Sequence, residues 1–388
     1  FEVLIEMHKI KICFISHSSE KGGAENALIE LIDILKTWGI KAYVILPSYG
    51  PLIEELKIRD VEFHVERYYW WLSGKLSLPN RLWNNILNCI NIVPIAIKIK
   101  KWKCDLVYSN TLTICEGAIA AKLIGLPHIL HIHEFGYEDH GLKFDLGEKF
   151  SLWILNHCSS VFIIISNAVA KKFRNYIPID KLKVVYQSVN VPNQYINNNY
   201  DFFKNGVIKC IILGLIQEGK RQEDAIMAMS ILEQAGFNTQ LYIVGTGDST
   251  YRKYLNELIL EHNLKNNVIF TGFLEDPFSL MKNMDIALIC SRSEGFGRVT
   301  IEAMKIGKPV IGARSGGTVE LIQDGFNGFL YKPKDYNDLA QKIRFLYDNP
   351  HLAKNMGERG QEWALFQFSQ LRYATDILKI IETLLPKQ

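Results

Sequence analysis

Short, continuous apolar runs alternate along this chain with longer stretches whose apolar residues recur at helical spacing. Runs of this kind are the signature of strands buried on both faces, and the longer stretches that of helices laid over them. In the first half the pattern predicts strands over 9–16, 42–46, 61–65, 106–109, 128–133, 161–166 and 182–186. Leu28, Leu31, Ile32 and Leu35 form a helical stripe over 24–38, closed by Gly39. The asparagine-rich stretch 192–206 breaks every period and is expected to be a linker. A second alternation starts at 207–213 and runs to about 331, and helices follow over 336–347, 351–366 and 369–385. Two successive α/β sheets predict two Rossmann-like domains facing a cleft. The expected divisions are a first domain over 1–192, a linker over 193–206, a second domain over 207–366 and a C-terminal helix over 367–388.

The densest chemistry lies in Ser291-Arg-Ser-Glu-Gly-Phe-Gly-Arg-Val-Thr-Ile-Glu302. An apolar strand over 285–290 precedes it and a helix over 299–306 follows, stopped by Gly307-Lys-Pro309. Glu294 is thereby expected in a strand-to-helix loop and Glu302 about one turn into the helix. Glycines let a backbone approach a ligand closely, and a helix N-terminus attracts phosphate. Carboxylates beside them suit the hydroxyls of ribose or hexose, so the arrangement points to a nucleotide-sugar site. A glycine turn with two glutamates is also an ordinary feature of α/β proteins. The stretch that follows weighs against that plainer reading, because a strand over 309–312 leads into Ser315-Gly-Gly-Thr-Val-Glu320, a second glycine pair at a helix start.

These motifs, in this order, resemble the retaining family 4 glycosyltransferases of GT-B fold, in the glycogen-phosphorylase-like superfamily. The resemblance covers nearly the whole chain. It includes Gly22-Gly-Ala-Glu25, Gly214 with Gly219-Lys-Arg221, Leu241-Tyr-Ile-Val-Gly-Thr-Gly247 and Val268-Ile-Phe-Thr-Gly272. It implies an α/β, GT-B fold whose last helix crosses back onto the first domain through Ala374, Ile377, Leu378, Ile381 and Leu385. It also implies a donor site of Gly22, Gly23, Gly214, Lys220, Gly245, Glu294, Gly295, Phe296, Gly297, Arg298, Glu302, Gly316 and Gly317. Within it Lys220 serves the diphosphate, Glu302 the ribose and Glu294 the sugar, while the loop at Gly245 lies near the base. His133 and Glu294 are the implied catalytic residues. Where the family often carries an arginine after the first glycine, this chain has Leu215, and Arg221 and Arg298 are the nearest replacements.

The implied activity is transfer of a hexose or related sugar from a nucleotide diphosphate to a hydroxyl of a glycan or lipid-linked acceptor. A GT-B sugar-nucleotide epimerase and a catalytically silent sugar-nucleotide-binding protein are the alternatives, the latter prompted by Leu215. No Asp-x-Asp motif or His/Cys cluster of ligand spacing stands out, so neither metal nor cofactor is expected. Gly-Gly-Ala-Glu lacks the Lys-Ser/Thr of a P-loop, and Val244-Gly-Thr-Gly-Asp248 lacks the third glycine of a dinucleotide fingerprint.

A net charge of +3 is too small to argue for nucleic acid. The seven cysteines form no CxxC and suit buried thiols of a reducing cytosol. No run approaches 18 continuous apolar residues, and the six residues before Met7 are too short and acidic for a signal peptide; Met7 is one candidate start. Lys98, Lys100, Lys101 and Lys103, taken with Trp83 and Tyr68-Tyr-Trp-Trp71, suit an anionic membrane surface. A solvated helix end beside core aromatics accounts for the same residues.

Overall fold

The computed structural model describes residues 10–74, 76–196 and 200–385. Met7 and Asn197, Asn198 and Asn199 therefore lie outside the described residues. The chain forms two compact units, one of Phe1–Ser188 with Gln370–Gln388 and the other of Val189–Ser369.

In the first unit the chain runs through β1 (Lys11–Ser16), α1 (Gly23–Thr37), β2 (Lys41–Leu46), α2 (Leu52–Ile58), β3 (Glu62–Val65), β4 (Leu72–Ser73) and α3 (Leu78–Trp102). It continues with β5 (Leu106–Asn110), α4 (Glu116–Ile124), β6 (His128–Ile132), β7 (Lys143–Phe144), α5 (Glu148–Cys158), β8 (Val161–Ile164), α6 (Asn167–Phe173) and β9 (Leu182–Val184). Seven strands form one sheet in the order β3-β2-β1-β5-β6-β8-β9, and every pairing is parallel. Successive β1 side chains go to opposite faces, as a period of two demands. Ile12 and Phe14 join the cluster under α1, while Cys13 and Ile15 join the one under α3. Both faces are covered, which is why the strands read as unbroken apolar runs.

The second unit runs through β10 (Val207–Leu213), α7 (Gln222–Gln234), β11 (Asn238–Val244), α8 (Ser249–Glu261), β12 (Val268–Gly272), β13 (Ile286–Ile289), α9 (Arg298–Lys305), β14 (Val310–Ala313), β15 (Phe329–Tyr331), α10 (Tyr336–Asp348) and α11 (Pro350–Gln367). Its parallel sheet has the order β12-β11-β10-β13-β14-β15. The chain then returns to the first unit as α12 (Gln370–Leu384), whose Tyr373, Ile377 and Ile381 are buried in the cluster shared with α1. Each unit is a Rossmann-like α/β domain.

Four local expectations are corrected. The stretch 193–206 is no free linker, because the aromatic residues among its asparagines are packed into the second unit. Tyr195 bonds Asp276, Tyr200 donates to the Asn283 carbonyl at 2.8 Å, and Phe203 is buried. The Lys308 ammonium lies over the Tyr200 ring, 3.2 Å from its centroid, and burial lowers its pKa to about 7. The helix expected from Ser315 is a single turn, Thr318–Leu321. Tyr68 and Trp71 are buried, leaving Trp70 and Trp83 exposed, because the Tyr68 hydroxyl and Trp71 indole donate to inner carbonyls of Ser16 and Leu112. Finally, all seven cysteines are free thiols, but Cys89 is exposed and Cys158 half-buried.

The cost of opening a cavity under α12 tests its place in the first unit. Ile377→Ala is expected to destabilise the protein by about 2–5 kcal/mol in denaturant unfolding. An unchanged midpoint would show that this helix adds nothing to that core.

Candidate functional site

An open parallel sheet whose connections wind in opposite directions from neighbouring strands leaves a crevice at their C-terminal ends, where ligands bind. In the second unit the strand order reverses between β10 and β13. Lys220 stands in the loop after β10 and Glu294 in the loop after β13. The two side chains meet, Nζ to Oε2, at 2.8 Å, and both keep some exposure. The loops also join through their backbones, the Arg292 amide donating to the Gly219 carbonyl at 2.9 Å.

Glycines make the close packing of these loops possible. The Gly214 amide donates to the Val244 carbonyl and the Ile216 amide to that of Thr246, extending the β10–β11 pairing beyond the strands. Gly245 has a φ of +129°, and a Cβ there would collide with the Gly214 carbonyl. Gly316, with a φ of +53°, lies directly on the Glu294 peptide, where a Cβ would sit 2.7 Å from the Glu294 nitrogen. The next residue, Gly317, donates its amide to the Glu294 carbonyl at 2.6 Å. The two glycine motifs separated in sequence are thus one locked turn holding Glu294.

The remaining expected residues are distributed around this turn. Gly295 and Gly297 complete it, and Gly297 caps α9, whose first residue is Arg298 and fifth is Glu302. Phe296 departs from expectation: its side chain is buried and packs edge-on against Phe368, with ring centroids 5.8 Å apart, so only its backbone can face a ligand. Arg221 is likewise committed, with bonds to Asp224 and Glu223 that hold the start of α7. Leu215 is more than half exposed and supplies no charge.

In the first unit the reversal falls between β1 and β5. Gly22 precedes α1 and Gly23 begins it, and a Cβ on Gly22 would sit 2.7 Å from the buried Glu25 carboxylate. His133 follows β6. Asn110, the last residue of β5, donates through Nδ2 to the Ala24 carbonyl at 3.0 Å, which turns its Oδ1 toward His133 Nε2 at 2.8 Å. That nitrogen therefore carries the proton, and Nδ1 accepts from Gln187 Nε2 at 2.6 Å. Both ring nitrogens are occupied, and the ring lies 4.0 Å from that of His131. His131 is buried and bonded to the Tyr108 hydroxyl, and burial lowers its pKa to about 3. Thr111, just beyond β5, has a φ of +111°, a strained conformation for a β-branched residue and one found most often at functional sites.

Comparison with known proteins decides what these two crevices belong to. A model described as Glycosyl transferases group 1 matches residues 201–363, and one described as Glycosyltransferase Family 4 matches residues 21–191. The chain belongs to the family 4-like glycosyltransferases of GT-B fold. An uncharacterized glycosyltransferase of Methanocaldococcus jannaschii is 26% identical over 341 residues, covering 84% of this chain and 92% of that protein. The capsular polysaccharide biosynthesis glycosyltransferase CapM of Staphylococcus aureus is 24% identical over 274 residues, 65% of this chain and 70% of its own. Anabaena Alr3699/HepE, solved in complex with UDP-glucose, matches with a TM-score of 0.79 at 25% identity, over 97% of this chain and 100% of that one.

Several residues of this glycosyltransferase escaped the sequence reading. A cavity of about 590 Å³ in the first unit is lined by His17, Ser19, Arg67, Tyr69, Trp70 and Asn84, among others. Of the cavity's lining, Tyr68, Tyr69 and Trp70 carried a signal, as part of an aromatic cluster. Asn110 and Gln187 had none, since their role arises from strands distant in sequence. Glu134, the residue after His133, escaped that reading as well. Its carboxyl accepts the Leu112 amide at 2.8 Å and the His133 amide at 3.1 Å, and burial raises its pKa to about 8.

Above the ordinary carboxylate value the folded protein keeps the Glu134 proton that the unfolded chain releases. Its contribution to stability is complete below about pH 4.5 and is lost as pH rises through about 8. His131 acts oppositely, withdrawing stability as pH falls from 6.5 toward about 3. The wild-type thermal midpoint, measured relative to Glu134→Gln, is expected to fall between about pH 5 and about pH 9. Parallel profiles for the two proteins would exclude a protonated Glu134.

Proposed function

We propose that this glycosyltransferase moves a hexose, with retention of anomeric configuration, from a uridine diphosphate sugar to a hydroxyl of a glycan or lipid-linked acceptor in polysaccharide or glycoconjugate assembly. The observation that carries the reading is the Lys220–Glu294 pair at the sheet reversal of the second unit, held by the Gly316–Gly317 turn. The UDP-glucose complex of HepE supports the donor, and the name of CapM supports the pathway class.

On this reading the ligand-free pair is a resting state. The donor diphosphate takes over Lys220 as a point charge, and Glu294 is released to accept hydrogen bonds from the sugar hydroxyls. Glu302, one turn into α9, holds the ribose hydroxyls, and Arg298 lies nearest the helix N-terminus, where phosphate is favoured. Gly214, Gly245, Gly295 and Gly297 let the backbone approach the nucleotide.

Gly22 and Gly23 present a bare turn, and His133 orients the sugar. With both its ring nitrogens bonded, an orienting role is favoured over proton transfer. The acceptor oxygen then bonds to the anomeric carbon on the face from which the phosphate leaves. The bond from that carbon to the phosphate oxygen breaks, and the acceptor proton passes to the departing phosphate.

Each assignment separates binding from turnover. Lys220→Ala is expected to weaken UDP binding at least about tenfold in calorimetry, or roughly 1.4 kcal/mol, and Glu302→Ala to weaken it too. Glu294→Ala and His133→Ala should lower turnover at least about tenfold, with UDP affinity nearly unchanged for His133→Ala. Wild-type UDP affinity in both Lys220→Ala and Glu302→Ala would overturn the donor site. Because Lys220 and a helix terminus carry the diphosphate, activity should persist in excess EDTA, whereas a complete loss restored by added magnesium would require a metal.

A further inference from the structure

Helix α3 is 25 residues long, and its two faces differ sharply. Ile92, Ile95, Ala96, Ile99 and Trp102 are buried in the core cluster beside β1 and β5. On the opposite face Leu82, Trp83, Ile86, Ile90, Val93 and Ile97 are each more than half exposed. Their spacing of three or four residues makes one continuous stripe of roughly 22 Å, at 1.5 Å per residue. Soluble proteins seldom leave such a patch to water without a partner.

Charge identifies the partner. No aspartate or glutamate occurs between Leu78 and Trp102. The stripe ends on the exposed Lys100 and Lys101, with Lys103 beside them and Lys98 stacked over Trp102, 4.5 Å from the ring centroid. An apolar face edged by lysine and carrying an interfacial tryptophan matches an anionic lipid surface. By length and composition α3 is also able to span a membrane. Its inner face, however, is part of the folded core, so the helix has to lie in the interface plane.

We infer that α3 beds its outward face in an anionic lipid leaflet, so that the neighbouring cavity receives the polar head of a lipid-linked acceptor. The cavity reaches the start of the helix, since Leu76 and Asn84 line it together with Trp70. Leu146, Phe150 and Trp153 extend the exposed apolar surface from Asp145, which Arg81 and Asn85 of α3 contact. The choice of a lipid-borne acceptor rests on the transferase reading above, whereas the docking does not.

Cys89, exposed beside Ile90, supplies a native probe. With Cys158 replaced by serine, an environment-sensitive fluorophore on Cys89 should shift to the blue on phosphatidylglycerol-containing vesicles. Unlabelled protein should float with those vesicles and several-fold less with pure phosphatidylcholine. Ile86→Ser with Ile90→Ser should abolish flotation, and Lys100→Gln with Lys101→Gln should reduce it, while both variants keep wild-type UDP binding. A label that stays water-exposed on vesicles would overturn the inference, as would a stripe buried instead in a dimer that the isoleucine replacements dissociate. Flotation without any UDP binding would sink the transferase reading and leave the docking intact. A variant lacking both flotation and UDP binding would be unfolded, and the single replacement Ile90→Ser then decides between these outcomes.

Discussion

Where the winding of a parallel sheet changes direction, the connections leaving two paired neighbouring strands turn to opposite faces, and a crevice that no side chain of the sheet fills remains beyond their C-terminal ends. Both units are built around this constraint. In the second, the connections leaving the paired strands β10 and β13 diverge, and Lys220 and Glu294 stand in those two loops. In the first, the connections leaving β1 and β5 diverge, and the turn after Gly22 is bonded by an asparagine that holds His133. The loops carry the chemistry because the strands leave them room.

Glycine-rich loops leave main-chain groups exposed, and exposed main chain is ordinarily poorly ordered. Here the disorder is removed by contact between one loop and the next. Gly316 and Gly317 lie on the Glu294 peptide, and Gly245 on that of Gly214, at separations that admit no side chain. The same exclusion explains why Phe296, placed between two glycines of the turn, points inward to Phe368 instead of toward a ligand. One large residue anchors the turn so that its neighbours can stay bare.

The sequence made the two-sheet plan legible because strands covered on both faces have no polar half to blur their apolar runs. Val207–Leu213 was delimited to the residue. The glycine motifs were legible because close backbone contact has few chemical solutions. Helix α3 was not, since Asn84, Asn85, Asn88, Asn91 and Pro94 interrupt its apolar run while its geometry still gathers the isoleucines onto one face. The segment 193–206 misled through composition: its asparagines outnumber the aromatic residues that decide where it packs. Asn110 and Gln187 could not be found at all, because they meet His133 from the end of β5 and from the segment after β9, both distant from it in sequence.

The second unit begins and ends at adjoining points. The Val189 amide donates to the Phe368 carbonyl at 3.3 Å, and the buried Lys305 ammonium donates to the carbonyls of both residues, at 2.7 and 3.1 Å. Residues 189–369 are therefore, in topological terms, a cassette inserted into the first unit through one stitched seam. A cassette with abutting ends can be exchanged for a homologous one without stretching its host, as in domain insertion generally. Gene recombination at this seam would replace the crevice of the second unit and leave that of the first unchanged.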